Sequence, residues 1–165
     1  MTAISELQLV ALLHRLAGAG VDFVVIGGVA VAVQGYGRST KDLDITYATN
    51  AANLERLGRA LIDLAARLRG VDEEVPFVPD APTLRRMAIL TLDTSEGPLD
   101  LLVRPDGAAP YEQLRARADV IDLDGAEIRV VDIDDLLAMK RAAGRPQDLA
   151  DIDALEAVKR VRRNG

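Results

Sequence analysis

Leu7, Leu9, Val10, Leu12, Leu13 and Leu16 recur at helical spacing behind Ser5 and Gln8, a capping-box pair, until Gly18 and Gly20 end the run. VDFVVIG, from Val21 to Gly27, is a short β-branched apolar stretch and predicts a buried strand. GVAVAVQGYG could be a strand by composition, but its place after a Gly-Gly predicts a short helix of small residues packed on the sheet. KDLDITY alternates and predicts a second strand. Asn50 or Asn53 then caps a long helix reaching Gly70, with Leu54, Leu57, Leu61, Leu64 and Leu68 as its buried stripe.

VDEEVPFVPDAP is acidic and broken by prolines, which predicts a loop or lid. RMAILTLDTSEGPLDLLVRP reads as a hairpin turning at Ser95, Glu96 and Gly97, and VIDLDGAEIRVV as another pivoting on Asp124-Gly125. DIDDLLAMKRAAG and PQDLADIDALEAVKRVRR are two closing helices, with Pro146 in a first-turn position. The order predicts an α/β (α+β) fold: a mixed sheet flanked by helices over about residues 21–131, and a C-terminal helical subregion over about 132–163. There is no repeat and no interdomain linker, so residues 1–165 are expected to form one domain.

At 165 residues the chain can bury about two thirds of its unfolded surface. Apolar residues make up 49% but aromatics only 3%, so the core must be aliphatic. The absence of cysteine removes disulfides, thiolate metal sites and cysteine nucleophiles. No signal-peptide pattern opens the chain and no apolar run approaches the ~20 residues of a membrane span, so a cytoplasmic protein without membrane contact is expected. The net charge of −6 argues against stable duplex DNA binding. The basic residues gather late, around Lys140 and in the tail from Lys159; the tail reads as a solvated helix end, and a solvated helix lysine is one reading of Lys140.

The chemistry concentrates between Gly27 and Asp44. Residues two apart on a strand share a face, so Asp42 and Asp44 project together while Leu43 and Ile45 anchor the other side. Two parallel carboxylates raise each other's pKa unless a cation sits between them, and hard oxygen ligands suit Mg²⁺. A second metal needs a carboxylate from a neighbouring strand. Asp100, inside the apolar PLDLLV, is the candidate; Asp93, at a hairpin mouth, is the competitor. Gly27 and Gly28 at a strand-to-helix junction allow a bulky group near the backbone, where free N–H groups favour phosphate. Arg38, Ser39 and Thr40 can hydrogen-bond triphosphate oxygens. The single histidine, His14, has no catalytic neighbours in sequence, there is no P-loop, and GYGRST lacks the third glycine of a dinucleotide fingerprint. Tyr36 and Tyr47 flank the motif, available either for stacking on a base or for sheet packing.

The Gly-Gly, then RSTKDLDI, then LDLLV resemble the nucleotidyltransferase superfamily with a polymerase-beta-like core. AMKRAAGRPQDLADIDAL further resembles the AbiEii-type nucleotidyltransferases of type IV toxin–antitoxin pairs, in which a helical lysine precedes a Lys-Asp-x-x-Asp stretch. Lys140 matches that lysine and Asp148 and Asp151 the acidic pair, while Gln147 departs from the basic residue before it. The resemblance implies transfer of a nucleoside monophosphate from an NTP to an acceptor hydroxyl with Mg²⁺ or Mn²⁺. Asp42 and Asp44 would bind both metals, and Asp100 would bind the catalytic one and help activate the acceptor. Gly27, Gly28 and Ser39 would cradle the triphosphate, Lys140 would neutralise its growing charge, and Asp148 would orient Lys140 or Arg145. The acceptor is expected to be RNA, such as tRNA, or a protein, with a cognate toxin or antitoxin as partner. The alternative is a non-catalytic module that keeps the fold to bind a partner protein.

Overall fold

The computed structural model describes residues 2–71 and 77–165. A capping box opens helix α1 (Glu6–Gly18), with Ser5 Oγ accepting from Gln8 N and Ser5 N donating to Gln8 Oε1, both at 3.1 Å. Strand β1 (Phe23–Ile26), helix α2 (Gly27–Val33) and strand β2 (Leu43–Tyr47) follow as the pattern predicts. Helix α3 (Ala51–Asp63) starts from Asn50, whose side chain accepts from Asn53 N. It stops earlier than the periodicity suggests. Leu68 lies not on the helix but in a two-residue strand β3 (Arg67–Leu68), and Ala65 takes a positive φ of 51° where the chain reverses. The leucine spacing simply continued past the turn.

Part of the expected acidic loop, residues 72–76, lies outside the described residues. Its end is a short helix α4 (Ala81–Arg86), capped by Asp80 and too brief to show periodicity. Strands β4 (Ile89–Thr94) and β5 (Gly97–Leu102) form the first hairpin. Helix α5 (Tyr111–Arg117), which the pattern missed, leads to the second hairpin, β6 (Asp119–Leu123) and β7 (Ala126–Val130). Positive φ at both Asp124 (50°) and Gly125 (90°) is what a two-residue hairpin turn with the native strand twist requires. Helices α6 (Ile133–Ala143) and α7 (Pro146–Asn164) complete the chain, joined by Gly144 in the left-handed region at φ 63°.

The strands form one mixed sheet in the order β3-β4-β5-β2-β1-β7-β6, in which β1–β7 and β2–β5 are parallel and the other pairs antiparallel. Register divides the sheet into two faces. Leu43, Leu99 and Leu92 align across β2, β5 and β4 on one face, and Asp44, Asp100 and Thr91 on the other. The leucine face, with Ile45 and Leu101, joins Leu12, Leu16, Leu54, Leu57 and Leu61 in the fully buried core. Burying a side chain of this size is worth about 1.5–3 kcal/mol, so this face fixes the register. The opposite face of β4, β5 and β2 is left open. Tyr47 belongs to the core, its hydroxyl donating to Leu84 O at 2.7 Å, so packing is its fate rather than stacking on a base. Among the described residues no helix is long and apolar enough to cross a membrane.

Candidate active site

Register, more than local sequence, assembles the acidic cluster. Asp44 on β2 pairs with Ile26 on β1 and with Asp100 on β5, so the strand pairing that buries the leucines also sets the two carboxylates side by side. Asp42 joins them from just before β2, and ligand oxygens of Asp42, Asp44 and Asp100 all lie within 4.8 Å of one another. Asp93, the competitor, sits farther along β4 opposite Pro98 and lies outside this cluster.

The two glycines close one side. Gly27 has φ +69°, and a Cβ there would lie 2.1 Å from Asp44 Oδ2. A Cβ on Gly28 would lie 2.7 Å from Thr40 Oγ1. The backbone thus comes as close to the carboxylates and to the Arg38–Thr40 segment as a chain can, which no other residue type permits. Thr40 Oγ1 donates to Asp42 O at 3.2 Å, tying that segment to the cluster.

From the C-terminal side, α6 carries Leu136, Leu137, Met139 and Lys140 as its buried positions. Lys140 is only 6% exposed, which overturns the reading of it as a solvated helix lysine. Its Nζ lies 3.0 Å from Asp148 Oδ1 and 3.0 Å from Asp151 Oδ2, both aspartates being fully buried on α7. Asp148 also accepts from the Arg145 backbone N at 3.0 Å and from its Nε at 2.7 Å, so it contacts both Lys140 and Arg145. Arg38 grips Asp151 in a bidentate pair, Nε and Nη2 each at 2.8 Å, and its Nη1 donates to Ser39 O. Arg38 therefore acts as a strut between the loop and α7, with three of its five N–H donors engaged and two left over.

All the predicted residues, Gly27, Gly28, Arg38, Ser39, Thr40, Asp42, Asp44, Asp100, Lys140 and Asp148, line one open cleft of about 810 Å³. That is within the range of roughly 300–1,000 Å³ for small-molecule sites. Sequence reasoning missed Arg69, immediately after β3, whose guanidinium contacts Asp42, Asp93 and Asp100. It had been assigned to a helix end, and only the strand pairing shows where it points. The basic tail is exposed from Arg160 onward, as expected, but it is tied down: Arg162 Nη2 donates to Gln34 O at 2.8 Å at the end of α2, and Lys159 pairs with Asp134.

The electrostatics follow from crowding. Burial, then the neighbouring Asp42 and Asp100 charges, push Asp44 up to about 8, with Lys140 working against them. Burial and Asp42 push Asp100 to about 6, opposed by Arg69. Burial also acts to raise Asp148, but its bonds from Arg145 and Lys140 outweigh it and hold that carboxyl at about 2. The two groups of acids are thus in opposite condition: one compensated by fixed cations, the other short of positive charge. Asp100 Oδ1 is buried and, among the described residues, accepts no hydrogen bond; Arg69 Nη2 approaches it to 3.0 Å without hydrogen-bond alignment. Convergent, undercompensated carboxylate oxygens with an unsatisfied lone pair fit a hard divalent cation.

Against known proteins, a family model described as nucleotidyl transferase AbiEii toxin, type IV TA system, matches residues 11–163. No curated protein matches the sequence. Among solved structures, the lincomycin-bound lincosamide antibiotic adenylyltransferase LnuA is similar at TM-score 0.64 and 16% identity, over 95% of this chain and 99% of that one. An antigenic nucleotidyltransferase-like protein from Paracoccidioides brasiliensis is similar at TM-score 0.55 and 17% identity, over 93% and 76%. ANT(2")-Ia in complex with adenylyl-2"-tobramycin is similar at TM-score 0.54 and 16% identity, over 94% and 97%. At such identities these likenesses establish a shared fold.

Proposed function

The chain belongs to the AbiEii nucleotidyl transferase family, and on that premise we propose that it moves a nucleoside monophosphate from an NTP to a hydroxyl of a phosphate-bearing acceptor, RNA. The convergence of Asp42, Asp44 and Asp100 beside the Gly27–Gly28 turn carries this reading. Asp42 and Asp44 would hold Mg²⁺ or Mn²⁺ ions, shared with Asp100, and such ions neutralise charge on the attacking and leaving oxygens. Asp100 takes the acceptor proton as the hydroxyl oxygen bonds to the α-phosphorus, the α–β bridging bond breaks and pyrophosphate leaves. The Gly27–Gly28 backbone and Ser39 lie against the triphosphate. Lys140 has two of its three N–H donors directed to Asp148 and Asp151, which leaves one for a phosphate oxygen.

The choice of acceptor rests on a second cleft of about 820 Å³. It shares Ala88, Arg104 and Pro105 with the first and carries Arg85, Arg86 and Arg104. On a chain of net charge −6, three exposed arginines at one mouth favour a phosphate backbone. They disfavour an amino-rich polycation of the tobramycin kind. The type IV description of the family implies an antitoxin partner, and with it action in the cytoplasm.

The test is incubation with each α-labelled NTP, Mg²⁺ or Mn²⁺, and total RNA, alongside an Asp44→Asn variant. Metal-dependent label in RNA that the variant abolishes is the expected result. Label in protein instead would reassign the acceptor. The absence of any transfer, together with no NTP binding, would sink the reading as an enzyme and leave a partner-binding module.

A further inference from the structure

Building on the reading of the three aspartates as a metal site, we propose that Arg69 is a built-in counter-cation of the metal-free site, which a divalent ion drives off Asp42 and Asp100 and back onto the seat it already holds on Asp93 and Leu92 O.

Arg69 is fixed by its own backbone, which donates to Thr91 O at 2.9 Å. Its side chain is about 20% exposed and reaches back over β4 and β5. The contacts divide into two kinds. Nε hydrogen-bonds Asp93 Oδ1 at 3.2 Å, and Nη2 hydrogen-bonds Leu92 O at 2.7 Å. Toward the cluster the grip is looser: Nη1 lies 3.5 Å from Asp42 Oδ2, and the 3.0 Å approach of Nη2 to Asp100 Oδ1 is an ion pair without hydrogen-bond alignment.

A Mg²⁺ ion binds carboxylate oxygens at about 2.0–2.1 Å, so on Asp100 Oδ1 and Asp42 Oδ2 its charge would sit within a few ångströms of the guanidinium that leans on the same atoms, and the two cations repel. The firm bonds, however, go to a carboxylate outside the cluster and to a main-chain carbonyl. Nη2 makes both the Leu92 O bond and the approach to Asp100, so the guanidinium leaves the cluster by turning about its bonds to Asp93 and Leu92 O; a small rotation, not an unfolding, opens the site. Without metal, the arginine limits the mutual repulsion of Asp42 and Asp100, which explains how an edge strand of two residues keeps its place beside them.

Mn²⁺ titration of the full chain without nucleotide, followed by the loss of the free-ion EPR signal, tests this directly. Arg69→Gln is expected to bind Mn²⁺ about tenfold more tightly than wild type, since a competing charge is gone. Asp93→Asn removes the seat and is expected to weaken binding several-fold, but only where Arg69 is present. Equal affinity in wild type and Arg69→Gln, or equal weakening by Asp93→Asn in both backgrounds, overturns the proposal and leaves the metal site standing. No Mn²⁺ binding by any of these proteins, with Asp100→Asn no different, overturns the metal site and this proposal together. Should Arg69→Gln not fold, phenylglyoxal modification of wild type read by mass spectrometry decides: Arg69 gains reactivity when Mn²⁺ is added, and unchanged reactivity refutes the displacement.

Discussion

Replacing Lys140 by methionine keeps the bulk of the side chain and deletes its charge. In the native protein that charge lies 3.0 Å from each of two fully buried carboxylates, Asp148 and Asp151. Breaking a buried ion pair by removing one partner costs roughly 3–5 kcal/mol, because the other charge stays behind. Here Asp148 keeps Arg145 and Asp151 keeps Arg38, so the loss belongs at the low end, about 3 kcal/mol. For a chain of this size that is a fall of about 6–12 °C in Tm. The pH dependence gives a second readout. Asp148 is held at about 2 against an ordinary 3.8, so its contribution is present above 3.8 and is lost as pH falls through 2. It amounts to roughly 2 kcal/mol. Lys140→Met lets that carboxyl rise, so the stability gap between variant and wild type should narrow between about pH 4 and pH 2. Urea unfolding followed by circular dichroism across that range measures both. A loss below 1 kcal/mol, or a gap that does not change with pH, would refute the view that this ion network locks α6 to α7.

Metal binding should release protons. Asp44 at about 8 and Asp100 at about 6 are largely or partly protonated near pH 7, so Mn²⁺ affinity should rise through pH 6–8, and calorimetry in buffers of different ionisation enthalpy should detect the released protons. By the same shifts the metal-free fold should lose stability as pH climbs from 3.8 toward 8, and Mn²⁺ should restore it. Gly27→Ala puts a Cβ 2.1 Å from Asp44 Oδ2 at a φ of +69°, and should cost at least about 1–3 kcal/mol and most of the Mn²⁺ affinity; native Tm and affinity would show that the close approach is not needed. Asn53→Leu deletes the bonds that Asn53 makes to Asp22 N, Asp22 O and Ala48 O, and should cost about 2–3 kcal/mol by thermal unfolding. Arg85→Glu with Arg86→Glu should raise the KM for RNA several-fold and leave the KM for NTP unchanged; equal effects on both would remove the second cleft as an acceptor site.

What could be read from sequence was whatever depends on short-range pattern. The Ser5 cap, the β1-to-α2 turn, the alternation of KDLDITY and the Asp124-Gly125 hairpin are each decided within a few residues, and each formed as expected. The errors share one cause. α3 was drawn too long because Leu64 and Leu68 keep the helical period after the chain has left the helix, Leu64 serving as its C-cap and Leu68 turning into β3. α4 and α5 are too short to carry a period of their own. Asp100 was legible because a charge inside PLDLLV demands a partner. Arg69 was not, since nothing in ARLRG distinguishes an arginine on an exposed helix end from one aimed across two strands.

The deeper contrast lies between the two acidic groups that meet in the cleft. Asp148 and Asp151 are fully buried, and each touches Lys140 and an arginine, so their charge is met by side chains that folding itself brings into place. Asp42, Asp44 and Asp100 have the loose hold of Arg69 and the more distant fields of Lys140 and Arg145. A protein selected for stability alone would compensate the second group as it does the first, or replace it by apolar residues, because uncompensated buried carboxylates cost several kcal/mol. The deficit sits where the Gly27 backbone has been brought as near as sterics permit and where the cleft opens to solvent. On the proposed reading, stored repulsion at that place would be relieved by an incoming divalent ion, and the free energy of relief would go into binding it. Asp148 and Asp151 serve the opposite purpose: they hold the Lys140 ammonium in one position, so that on the proposed reading a phosphate entering from the Ser39 side would meet a donor that needs no rearrangement.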